Sequence, residues 1–161
     1  MWLAAAGAST SPAATALGAR AIDAAGLGAF LRDANARCHI AARGADTAQA
    51  LTFALVHARQ IETLILIAPP PLACLDSASL GELKRFEPPV LILFGTSASQ
   101  TAPELATAWR RTFNKAHLMF IYDTDAAPDE ERPQAVADIM ADFMRRREGF
   151  LVRDRDDKLH A

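Results

Sequence analysis

Residues 39–70 read HIAARGADTAQALTFALVHARQIETLILIAPP, and the alternation inside this stretch decides the class of the fold. It opens, with the preceding cysteine, on the short apolar run Cys38–Ala42. A helical period follows: Leu51, Ala54, Leu55 and Ala58 share one face, with Asp46 and Thr47 as candidate N-caps. The stretch closes on a second apolar run, Thr63–Ala68, stopped by three prolines. Strand, helix and strand within roughly 30 residues form the repeating unit of a parallel sheet. Neither run alternates apolar with polar residues, so both faces of each strand should be covered.

The same grammar extends outward. Val90–Phe94 and Leu118–Tyr122 are further apolar runs, and Trp2–Ala6 is a shorter one near the start. Between and beside them lie helical stripes: Leu27, Phe30, Leu31 and Ala34, then Leu105, Ala108, Trp109, Thr112, Phe113 and Ala116. The clearest stripe is Val136, Ile139, Met140, Phe143 and Met144, which follows Pro133 at a first-turn position where a missing N–H costs nothing. Pro69 to Pro89 breaks the rhythm and reads as a connection holding one short helix around Ser79–Lys84. The expectation is a three-layer α/β sandwich with a mostly parallel sheet of about four or five strands and right-handed crossovers. Residues 1–152 form its single domain, and the charged segment 153–161 is a solvated tail.

Composition narrows the function classes. The chain has 161 residues, a formal net charge of −2 and 51% hydrophobic residues, which suits one domain with one sizeable core. A near-neutral balance argues against a general nucleic-acid binder, which needs a basic face. Cys38 and Cys74 make neither a disulfide framework nor a zinc spacing. No basic start precedes Met1–Ala8, and no apolar run approaches the ~20 residues of a membrane span. The sequence therefore points to the cytoplasm, without membrane, nucleic acid, metal or cofactor.

From about residue 38 to 152 the order of these pieces resembles the later part of an α/β-hydrolase. HIAARGADTAQALTFALVHARQIETLILIAPP is similar to that family's strand, nucleophile elbow, helix and next strand. PPVLILFGTSASQTAPELA resembles the strand and loop of the triad acid, and HLMFIYDTDAAPDEERPQAVADIMADFMRRREGFLV the last strand, histidine loop and closing helix. The resemblance implies a serine at the elbow, a carboxylate and a histidine acting as one unit. It places them at Gly44, at Ala98, and at Ala126 or its neighbour Asp125. None of these can serve as nucleophile, orienting acid or base in its assigned role. The lead-in that would carry an oxyanion loop is also short, about 35 residues, with Gly7-Ala8-Ser9-Thr10-Ser11 in that region.

Displaced chemistry has few candidates. Ser9 is the best alternative nucleophile, although it reads as readily as a turn or cap serine. Ser97 and Ser99 are ordinary loop residues. His39 and His117 fall at strand starts, opposite the end where parallel sheets bind ligands, His57 closes a helix, and His160 is in the tail. Asp123, Asp125, Asp129, Glu130 and Glu131 read as a solvated acidic turn. A ligand site, if the chain has one, lies above the carboxyl ends of the strands and draws on Ser9, Arg43, Asp46, Ser97 and Asp125. Arg43 beside the helix after Gly44 suits an anionic group, or an ion pair with Asp46 or another loop acid.

The resulting expectation is a trimmed, non-catalytic hydrolase-like domain that binds a small molecule or a protein partner. The alternatives are an esterase-like enzyme using Ser9, and a structural subunit of a homo- or hetero-oligomer. A sheet edge left open by the short lead-in favours association with a second copy or a partner.

Overall fold

A computed structural model describes residues 3–6, 12–18, 20–21, 37–75, 77–97 and 103–150 of the chain. The stripe at Leu27–Ala34 and the tail 153–161 lie outside the described residues. Six strands form one sheet: β1 (Leu3–Ala6), β2 (Arg20–Ala21), β3 (Cys38–Arg43), β4 (Ile61–Ile67), β5 (Val90–Gly95) and β6 (Ala116–Ile121). All pairings are parallel and the spatial order is β2-β1-β3-β4-β5-β6. The five apolar runs of the sequence are all strands. β2 is an addition, two residues long, with no apolar pattern of its own.

The helices are α1 (Pro12–Ala16), α2 (Thr47–Val56), α3 (Ser77–Leu83), α4 (Pro103–Thr112), α5 (Pro128–Glu131) and α6 (Pro133–Arg146). Strand periodicity sends alternate residues to opposite faces, and both faces are buried. Ile40, Ala42, Leu64, Leu66, Val90 and Ile92 pack with Leu51, Ala54, Leu83 and Trp109. Ala41, Ile65, Ile67, Leu91 and Leu93 face the other way, onto Ala13, Val136, Met140 and Phe143. The sheet is thus the middle layer, with α2, α3 and α4 on one side and α1 and α6 on the other. Trp109 closes its own polar account: its indole N–H donates to the Pro70 carbonyl at 2.8 Å.

This topology also fixes where loops meet. From β3 the chain steps to β4, β5 and β6 in one direction, whereas β1 steps to β2 in the other. With right-handed crossovers, that reversal sends the connecting helices to opposite faces and opens a switch point between β1 and β3. Ala6 registers with Ala42, so the end of β1 lies beside the end of β3. The closing helix buries Val136, Met140, Phe143 and Met144, while Ile139 is half-buried. No helix among the described residues is long and apolar enough to cross a membrane.

Candidate functional site

The carboxyl end of the sheet is built from the turns after β3, β5 and β6. After β3, Arg43 is still extended (φ −121°, ψ 139°), and Gly44 then turns the chain with φ 49° into the short turn Gly44–Asp46 and α2. A positive φ is easy only for glycine, and a Cβ built on Gly44 would meet nothing within 4 Å. This sharp strand-to-helix turn is where the resemblance expects a nucleophile, and it offers space without a side chain. Asp46 occupies the N-cap position of α2 but makes no side-chain capping bond. Thr47 is buried, and its hydroxyl has no partner.

The turns after β5 and β6 are joined by backbone. Thr96 N–H donates to Ile121 O at 3.1 Å and Ser97 N–H to Thr124 O at 2.9 Å. Thr96 Oγ1 accepts from Asp123 N–H at 2.9 Å. Gly95 is required here, because a Cβ would lie 2.2 Å from Asp125 O and 2.3 Å from Thr124 O. Ser97, Asp125 and Ala126 are exposed, while Ala98 and Ser9 lie outside the described residues. The contribution of Asp125 to the loop is its backbone: its N–H donates to both Glu131 carboxylate oxygens, at 3.1 and 2.9 Å.

The acidic turn is solvated as expected at Asp123, Asp125, Glu130 and Glu131, all exposed, and departs from that expectation at Asp129. Pro128 opens the short helix α5, with Asp129, Glu130 and Glu131 in its first turn. Asp129 is fully buried, and neither carboxylate oxygen has a hydrogen-bond partner. Its cation is Arg43, whose Nη1 lies 3.7 Å from Oδ2 and also donates to Glu130 Oε1. Arg43 is about one quarter exposed. The bond to Glu130, ahead of the other influences on it, holds the guanidinium above its ordinary pKa. The ion pair that the sequence allowed for Arg43 is therefore made across the site to α5, with Asp129 and Glu130 instead of Asp46. Sequence reasoning missed these partners. The available signal was Pro followed by three acids, a helix start whose N-terminus favours negative charge.

No protein-family model matches the sequence, and neither does any curated protein. Solved structures do match. An α/β-hydrolase enzyme, MGS-MChE2, from the metagenome of lagoon sediments at Mar Chica, Morocco, aligns with TM-score 0.62 at 14% identity over 74% of this chain and 66% of that one. Carboxylesterase CesB of Bacillus subtilis aligns with TM-score 0.66 at 12% identity, over 89% of this chain and 83% of the esterase. The fold is that of the α/β-hydrolases. A predicted CIB-like hydrolase from Thermoplasma acidophilum gives TM-score 0.62 at 17% identity over 74% of this chain, which spans 56% of that structure's length. Within this fold the strand order around β3 puts the Gly44 turn, the end of β1 and the loop after β6 at the same sheet end.

The three described histidines sit elsewhere. His39, second in β3, is buried, with Nδ1 2.7 Å from Thr63 Oγ1 and Nε2 3.1 Å from Glu62. Burial lowers its pKa, Glu62 opposes that, and Arg147 reinforces it. Cys38 is buried beside it, its thiol pushed up to about 11 by burial and by Glu62. His117, second in β6, packs edge-on to Phe143 and Phe150, and burial followed by Arg110 lowers its pKa. His57 ends α2 against the Phe53 ring, with centroids 4.5 Å apart. His39 and His117 thus belong to the amino ends of the strands, away from Gly44.

Proposed function

We propose that the chain is a non-catalytic α/β-hydrolase-like domain that acts by binding, with its ligand or partner held at the carboxyl end of the sheet. The observation that carries the reading is Gly44. The backbone keeps a sharp, positive-φ turn between β3 and α2, and the residue on it has no nucleophilic atom. Acyl transfer needs a nucleophile, a base and an orienting acid together, because such groups act as a unit. Ala126 on the loop after β6 supplies no base. Arg43, beside the turn, is committed to Asp129 and Glu130, so its ion pair ties the β3 turn to α5.

The test is reactivity. A serine-directed fluorophosphonate should leave the purified protein unlabelled, and a panel of activated esters should be hydrolysed no faster than by a mixture of free imidazole and denatured chain. The space above Gly44 is open, so a Gly44→Ser variant meets no clash and bears only the ~1–3 kcal/mol strain of a positive φ; where it folds, as circular dichroism would show, it too should remain unlabelled for want of a base. Stoichiometric labelling of the natural chain, or ester turnover abolished by Ser9→Ala, would overturn this reading in favour of a displaced esterase.

A further inference from the structure

At the opposite end of the sheet lies a cleft of about 890 Å³, lined by residues that precede β3, β4, β5 and β6 and by the end of α6. Six cations line it: Arg37, Arg59, Arg85, Lys115, Arg146 and Arg147. Among the described residues three carboxylates accompany them, and all three are engaged. Lys115 holds Glu87 at 3.1 Å and Glu148 at 2.9 Å, while Arg147 holds Glu62 at 2.9 Å. Arg146 pairs with Asp142, outside the cleft, at 3.6 Å. Arg37, Arg59 and Arg85 have no carboxylate partner among the described residues, and the side chain of Arg37 donates to the Arg59 carbonyl. The whole chain carries a net charge of −2, so this positive excess is local.

Helix dipoles explain part of the basic character, since helix C-termini in this fold gather at the same end and favour cations. They do not explain Arg37, which follows no described helix and stands directly before β3. Arg37, Arg59 and Arg85 line one concavity without a carboxylate partner among the described residues, so an anion entering it meets uncompensated positive charge. Guanidinium presents a planar fork of donors that matches phosphate oxygens two at a time. Ile61, Pro88 and Pro89, all buried, give the cleft an apolar floor. Its volume lies in the range of small-molecule sites, and the acidic chain as a whole argues against a nucleic-acid track.

We propose that this cleft binds a small oligophosphate-bearing molecule, with the phosphates on Arg37, Arg59 and Arg85. The site is independent of the carboxyl-end reading and stands or falls separately from it. The experiment is calorimetric titration of the full chain with tripolyphosphate, pyrophosphate and ATP at fixed ionic strength. Tripolyphosphate or ATP should bind with Kd below about 100 μM, and pyrophosphate should bind more weakly. Tighter binding of ATP than of tripolyphosphate would place a nucleoside on the apolar floor; equal binding would assign the site to the phosphates alone, and both results support the proposal. Arg59→Gln with Arg85→Gln, both at exposed positions, should weaken binding about tenfold or more, while Arg132→Gln at the other sheet end should change nothing. The proposal is overturned if tripolyphosphate and ATP give no saturable heat at millimolar concentration. It is equally overturned if the paired Gln variant binds like the natural chain, or if a single-stranded RNA outcompetes tripolyphosphate at equal charge.

Discussion

Replacing Arg43 by alanine should expose how the turn after β3 is held. The Asp129 carboxylate is fully buried and makes no hydrogen bond, so the guanidinium 3.7 Å away is its main compensation. At that separation and an effective dielectric constant of about 20, the attraction is ~4 kcal/mol, against a desolvation penalty of several kcal/mol. Removing Arg43 removes the attraction and leaves the penalty. Arg43 is itself a quarter exposed, so water partly replaces it, and Arg43→Ala should cost ~2–3 kcal/mol, below the ~3–5 of a fully buried pair. Asp129→Asn loses no hydrogen bond and removes the buried charge, so it should stay within ~1 kcal/mol of the natural chain. On the Arg43→Ala background the same change should restore ~1–2 kcal/mol, which gives a clear coupling energy. Urea unfolding followed by circular dichroism at neutral pH measures all four corners of the cycle, with an unchanged m-value as the check on two-state behaviour. Additivity within ~0.5 kcal/mol, or a loss in Asp129→Asn as large as in Arg43→Ala, would refute the argument.

Three other outcomes follow from the packing. Phe143 is fully buried, with ring centroids 5.4 Å from Phe150 and 5.9 Å from His117. Phe143→Ala should therefore cost ~3–5 kcal/mol and lower Tm by roughly 10 °C, and a loss under about 1 kcal/mol would mean the helix face is misassigned. His39 and His117 have pKa values below the ordinary 6.5, so the unfolded chain takes up protons before the folded one. Their share of stability is present above that value, is lost as pH falls through about 6.5 and levels off below the folded pKa; a urea midpoint unchanged between pH 7.5 and 5.5 contradicts this. Among the described residues β6 is an edge strand, with Phe120 on it and Tyr122 just past its end exposed; such an edge invites pairing, so light scattering should give a dimer mass, against which a monomer at all concentrations would count.

The fold was legible wherever burial on both sides of a strand left an uninterrupted apolar run. The run Val90–Phe94 matches β5 almost to its bounds because every residue of that strand is buried. The apolar run Leu118–Tyr122 lies late against its strand: β6 begins at Ala116, and Tyr122 lies beyond it, mostly exposed. The offset has a physical source. Among the described residues β6 pairs on one side only; His117, Leu118 and Met119 are half-buried and Phe120 is exposed, so the contrast with the following turn is weak. β2 had no signal at all, since two residues become a strand only by registering with Ala4 and Ala5.

The sites were less legible because they are assembled across the fold. Arg43 and Glu130 are 87 positions apart in sequence, and nothing local to either says that they meet. The rule that acids stay in water then misplaced Asp129, whose burial depends on a cation from another strand. The amino-end cleft has the opposite lesson. Four of its cations, Arg37, Arg59, Arg85 and Lys115, are spread along the chain with 22 to 30 positions between one and the next. A parallel sheet returns every strand start to the same end, however, so basic residues recurring just before β3, β4, β5 and β6 must accumulate there. A charge that looks dispersed in sequence becomes concentrated at the period of the strand-helix unit itself. Counted by position within that unit instead of along the chain, the charges mark the cleft in the sequence itself.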